Sequence, residues 1–255
     1  MQNANTIAEL AVAIPEAITV FERLGIDYCC NGGRTIQRAC ADAGITSDEL
    51  LQMIAKVEKS DAPPRAWEAE PLSLLIRHVN DTHHVYTRES LQRLTQLAAK
   101  VRTAHGENHQ ELYVVERLVA ELTADLVPHM LKEEQVLFPF VVNLERACEE
   151  HVEPPVPFFG TVKNPVRMMM LEHETVGEKL AELRGVTMDY LLPDDACTSY
   201  KVLFEGLIAL EADLHQHIHL ENNILFPRAL ELENGAATSP LVGALSERHN
   251  CSCHS

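Results

Sequence analysis

The stretch His129–Pro139, HMLKEEQVLFP, returns 88 residues later as His217–Pro227, HIHLENNILFP. Both copies read His-x-x-x-Glu-x-x-x-Leu-Phe-Pro. Residues four apart on a helix lie on one face, one turn above the other, so each copy aims an imidazole and a carboxylate at one point. The flanks are helical too. Leu118, Leu122, Leu126, His129, Glu133, Val136 and Phe140 recur at steps of three and four, as do Leu203, Leu207, Leu210, Leu214, His217, Glu221 and Ile224. Both His-Glu pairs therefore sit on the apolar stripe that faces a core. A carboxylate there needs a partner, and a metal ion is the simplest one.

The repeat extends to whole hairpins. Four long helical patterns run over roughly 71–102, 109–147, 164–185 and 195–231. His84 precedes His129 by 45 residues and His173 precedes His217 by 44. Two such hairpins make a four-helix bundle with a pseudo-twofold axis, and four His and two Glu converge inside it. An old duplication kept for packing explains the repeated Leu137/Leu225 and Phe138/Phe226. It does not explain an acid on the core stripe in both copies.

The donors select the metal. Imidazole and carboxylate without thiolate suit iron or manganese better than a soft-ligand site. Four His and two Glu exceed one closed zinc site. They suit two ions about 3.5–4 Å apart, each Glu bridging and two His completing each end. Glu133 matches Glu221, whereas Glu134 matches Asn222, so Glu133 is the candidate ligand and Glu134 either supports the ligands from outside or is solvated. On the first helix Leu72, Ile76, Val79, Tyr86, Ser90 and Leu94 define a seam with His83 near its centre. Periodicity alone favours His83 over His84 and puts His78 on the opposite, surface side.

Composition sets outer bounds. The chain has 255 residues, 46% of them hydrophobic, and a net charge of −17. That charge argues against nucleic acid or an anionic membrane surface as the main partner. No apolar run approaches the ~18 residues of a membrane span. The opening MQNANTIAEL lacks a basic, then apolar, leader, which places the protein in the cytoplasm. Seven cysteines, irregularly spaced, do not suggest a disulfide framework there.

Residues 1–60 read as a small helical domain. Thr6 with Glu9 and Thr46 with Glu49 form capping boxes, and PEAITVFERLG reads as a helix started by Pro15 and stopped by Gly25. Residues 61–70, within SDAPPRAWEAEP, read as a flexible linker, 71–232 as the bundle, and 233–255 as a disordered tail. In the tail, His249, Cys251, Cys253 and His254 are an alternative soft-metal set. The Cys29–Cys30 pair, followed by Asn31, Gly32 and Gly33, reads as an exposed turn. Its thiols are either incidental or accessible for redox chemistry, nitrosylation or cluster handover.

Taken together, DYCC, HMLKEEQVLFP and HIHLENNILFPRAL resemble the iron–sulfur cluster repair proteins, the RIC family of bacteria under nitrosative and oxidative stress. These join a DYCC-type module to a hemerythrin-like di-iron bundle. The resemblance runs to about Glu231 and extends to the nitric-oxide-binding di-iron proteins of denitrifiers. It implies an all-α fold and two iron ions held by His84, His129, Glu133, His173, His217 and Glu221. The family pattern His-x5-His falls on His78 and His84, so the resemblance favours His84 where periodicity favours His83. His105 also stands at a family histidine position. The loop from Cys148 to Lys163 and the tail HNCSCHS are longer than the family pattern.

The function implied is repair of damaged iron–sulfur proteins by iron donation, in a homodimer and without catalysis. The alternative is binding, sequestering or reducing nitric oxide at the same centre. An oxygen carrier fits less well, because it has no use for the DYCC module.

Overall fold

The computed structural model describes residues 4–57 and 65–237. Among them the regular structure is helical, with one isolated bridge between Thr6 and Thr35. None of these helices is long and apolar enough to cross a membrane.

Four short helices form the N-terminal domain: α1 (Ile7–Ala13), α2 (Glu16–Leu24), α3 (Ile36–Asp42) and α4 (Ser47–Ala55). Both capping boxes form, so Thr6 and Thr46 satisfy first-turn N–H groups that the helices cannot. Pro15 caps the start of α2, and Gly25 ends it in the left-handed conformation at φ 64°.

Four long rods follow. The first runs through α5 (Leu72–His78), a π turn (Val79–His84) and α6 (Val85–His105). The second runs through α7 (Glu111–Lys132), a π turn (Glu133–Leu137) and α8 (Phe138–Glu150). The third is α9 (Lys163–Val186), without interruption. The fourth runs through α10 (Thr198–Leu220), a π turn (Glu221–Leu225) and α11 (Phe226–Ala237). The first rod packs between the second and fourth, and the second also packs on the third. Gly206 lets α10 approach α6, since a Cβ there would stand 2.7 Å from Leu94 Cδ2.

The bundle interior has two apolar clusters. One holds Leu91, Leu94, Leu122, Leu126, Leu210 and Leu214; the other holds Leu75, Val79, Phe138, Val141, Leu225 and Phe226. Along each rod the His and Glu residues fall between these two sets.

The N-terminal core (Ile7, Val20, Phe21, Leu50) is continuous with the first of those clusters. Three sequence expectations are corrected. Residues 65–70 of the expected linker lie against the bundle: Trp67 stacks on His78 at 4.5 Å, and Arg228 donates to the Trp67 carbonyl at 2.9 Å. His78 is thus half-buried under Trp67 rather than a surface histidine. The fourth rod continues to Ala237 instead of ending near 232. The rest of the expected tail, with His249, Cys251, Cys253 and His254, lies outside the described residues.

Candidate metal centre

The three π turns explain where the helical period misleads. A π turn closes its hydrogen bonds five residues back instead of four, so the buried face advances by one residue. Before the first π turn Leu72, Leu75 and Ile76 are buried, within it Val79, His83 and His84, and after it Thr87, Ser90, Leu91 and Leu94. Tyr86, on the extrapolated seam, is only half-buried, and Thr87 takes its place at 0% exposure. The second rod shifts likewise: Leu137, Phe138 and Val141 are buried where Val136 and Phe140 were expected. Pro139 and Pro227, second in the resumed α-helices, supply no N–H where the ladder changes register.

Six side chains meet at this level. His84, Glu133, His217 and Glu221 form one group, and His129, Glu133, His173 and Glu221 form another. All are buried, and both glutamates belong to both groups. Each group draws one histidine from each hairpin. The Nε2 atoms of His84 and His217 are 3.2 Å apart, and those of His129 and His173 are 3.0 Å apart. Glu133 Oε2 lies 3.4 Å from both His84 Nε2 and His129 Nε2. Glu221 places Oε1 3.1 Å from His217 Nε2 and Oε2 3.2 Å from His173 Nε2.

The Leu-Phe-Pro of the repeat has its own part here. Phe138 stacks on His84 at 5.8 Å and Phe226 stacks on His173 at 6.0 Å. In each hairpin the aromatic ring of the phrase covers the imidazole of the partner helix.

These residues fit a pair of cations. The oxygens of Glu133 and Glu221 are buried and receive no hydrogen bond among the described residues. Two carboxylates without a cation are a large desolvation cost. Burial opposes a charged imidazole, yet Glu133 and Glu221 outweigh it at His84 and raise its pKa to about 10. At His173 burial is likewise overcome, chiefly by Glu221, and the pKa rises to about 9. A cation competes with those protons for the same lone pairs.

The outer ring nitrogens are held by groups that the repeat only half announces. Glu134 takes His84 Nδ1 at 2.8 Å and also pairs with Arg88. Asn222, its counterpart, takes His173 Nδ1 at 2.9 Å. Glu172 takes His129 Nδ1 at 2.7 Å and also pairs with Lys132. Burial would raise the Glu172 carboxyl less than the His129 hydrogen bond lowers it, and its pKa falls to about 2. Glu172 was not anticipated from the sequence, although it directly precedes a candidate ligand. His83 is buried but points elsewhere, its Nδ1 3.0 Å from Asp213. His105 packs on Tyr200 and His109 and joins neither group.

The Cys29–Cys30 turn is not exposed. Cys29 is 4% exposed and Cys30 half-buried. Asp27 organises the turn by accepting the N–H groups of Cys29, Cys30 and Asn31 at 2.9–3.1 Å. The turn then docks on the bundle. Asn222 Nδ2 donates to the Cys29 carbonyl at 3.1 Å, Asn223 Nδ2 to the Tyr28 carbonyl at 2.9 Å, and Cys30 Sγ to the His173 carbonyl at 3.4 Å. The two sulfurs are 3.7 Å apart, and the Cys29 hydrogen bond to Cys30 lowers the Cys30 pKa. Cys30 lines a cleft of about 700 Å³ together with Asp27, Glu22, Glu174 and Glu178. A Cβ at Gly32 would lie 2.5 Å from the Tyr28 carbonyl oxygen and 2.9 Å from Ala8 Cβ. Gly32→Ala is therefore expected to cost about 1–3 kcal/mol by overpacking, read as a lower urea midpoint.

Two imidazole pairs sharing two carboxylates inside four helices define a hemerythrin-type cation-binding protein. Residues 75–229 match the family described as hemerythrin HHE cation binding domain. Residues 3–58 match ScdA_N, a domain of unknown function (DUF542). The iron–sulfur cluster repair protein YtfE of Yersinia pseudotuberculosis serotype IB (strain PB1/+) is 33% identical over 231 residues, which is 89% of this chain and 97% of its own. The same values hold for YtfE of Yersinia pestis strain Pestoides F. The chain belongs to this iron–sulfur cluster repair family, the RIC proteins.

Proposed function

We propose that the bundle holds two iron ions and that the protein restores iron–sulfur clusters damaged by nitrosative and oxidative stress, by donating iron. The observation that carries this reading is the sharing of Glu133 and Glu221 by both imidazole pairs. His84, His129, His173 and His217 would supply one nitrogen each, and the two glutamates would join the positions. Such a pair supplies exchangeable ferrous iron and open coordination positions. Imidazole and carboxylate bind ferrous iron less tenaciously than thiolate binds soft metals, which suits a donor rather than a permanent cofactor. The clients would be damaged iron–sulfur proteins, the working form a cytoplasmic homodimer, and the role non-enzymatic. Cys29 and Cys30 line a cleft open to solvent, where their thiols would receive iron released from the centre.

The test is anaerobic loading with ferrous iron, then mixing with an apo-cluster protein. Iron transfer that restores client activity supports donation. Stoichiometric nitrosyl formation with nitric oxide, without transfer, would make the protein a sink instead. Cys29→Ser with Cys30→Ser is expected to keep the full iron content, because the centre uses no thiolate, while slowing transfer. Iron lost from that variant would show that the cysteines reach the metal themselves.

A further inference from the structure

The pseudo-twofold axis relates the outer hydrogen bonds of the centre as well as its ligands. Glu134 and Asn222, 88 residues apart, hold the Nδ1 atoms of His84 and His173. The equivalence should continue to His129 and His217, and there it fails. His129 Nδ1 is held by Glu172, which Lys132 holds in turn. His217 is 1% exposed, yet its Nδ1 has no hydrogen-bond partner among the described residues. The counterpart of Glu172, the residue preceding the first-helix histidine, is His83. Its ring lies parallel to that of His217, 5.6 Å away at 12°, and its Nδ1 is turned to Asp213. A parallel ring offers His217 packing, but it offers no acceptor for the Nδ1 proton.

An acceptor at the outer nitrogen fixes the tautomer that presents Nε2 to the metal and makes that nitrogen more basic. Three of the four imidazoles have one. We infer that the two metal positions are unequal, and that the His84–His217 position releases its cation first. This rests on the reading that the bundle holds two cations. On that reading, the protein donates one ion readily and keeps the other, with His83 as the positioning residue that sets the difference.

The experiment follows release of ferrous iron from the full-length protein to a chromogenic chelator, without air. Two phases of equal amplitude are expected, separated by about 10–100-fold, the usual effect of losing an outer partner. His83→Gln gives His217 Nδ1 an amide oxygen and keeps a donor for Asp213. It is expected to slow the fast phase about tenfold and leave the slow phase unchanged. Glu172→Leu, at a side chain 30% exposed, removes the His129 acceptor without a core change. It is expected to quicken the slow phase alone. A single release phase with two irons bound overturns the inequality and leaves the two-cation reading intact. So does an unchanged fast phase in a folded His83→Gln variant that still binds two irons. Fewer than two irons bound by the wild type overturns both readings.

Discussion

Replacing Glu133 or Glu221 with Leu is expected to remove both cations, not one, and to leave the helices in place. Each glutamate belongs to both groups, so each substitution strikes both positions. The loss should exceed the roughly 10–100-fold that follows removal of an outer partner, because a direct ligand is gone. The fold should survive. Both side chains are fully buried and lie between apolar clusters, where Leu fits better than an unpartnered carboxylate. Replacing a buried charge by an apolar group of similar size is commonly neutral or stabilising by about 1–4 kcal/mol. The metal-free variants should therefore melt at or above the temperature of the metal-free wild type. Metal analysis and far-ultraviolet circular dichroism read the two halves of the prediction. Retention of two metal ions by either variant would show that the glutamates are structural.

The second large effect separates adjacent histidines. His84→Ala should abolish the absorption of the loaded centre or change it beyond recognition, while His83→Ala leaves it largely intact. His84 Nε2 stands 3.2 Å from His217 Nε2 and 3.4 Å from Glu133. His83 instead faces Asp213, and losing that partly buried pair should cost about 1–3 kcal/mol of stability. The reverse order of spectral damage would mean that the π turn does not set the register in solution.

This pair of histidines marks how far the sequence could be read. The bundle was legible because His-x-x-x-Glu stood twice on an apolar stripe, and the stripe follows from burial alone. The register of the first helix was not, because an α-helical period extrapolated through Val79–His84 lands on His83 and Tyr86. Nothing local announces a π turn, and only the family pattern pointed to His84. The outer partners were half legible. The repeat pairs Glu134 with Asn222 and offers Glu134 as one possible outer partner, but the role of Asn222 was not read from it, and Glu172 needs the third helix brought against the second. The Cys29–Cys30 turn has the composition of a surface loop, yet it is covered. Its cover comes from residues some 193 positions away. No local pattern carries a contact of that range.

Asn222 gives the departure from symmetry a further meaning. In the first hairpin the equivalent position is an acid, and the group facing it from outside is Arg88. In the second it is an amide, and the group facing it is the Cys29 carbonyl. An acid at 222 would set two acceptors against each other. An amide can turn its oxygen to His173 and its N–H to the turn. Of the differences between the two copies of the phrase, the one at Glu134 and Asn222 thus marks the flank of the bundle that carries the N-terminal domain. Asn222 ties the DYCC turn to the outer nitrogen of a metal-centre imidazole, so a shift of the turn is felt at His173.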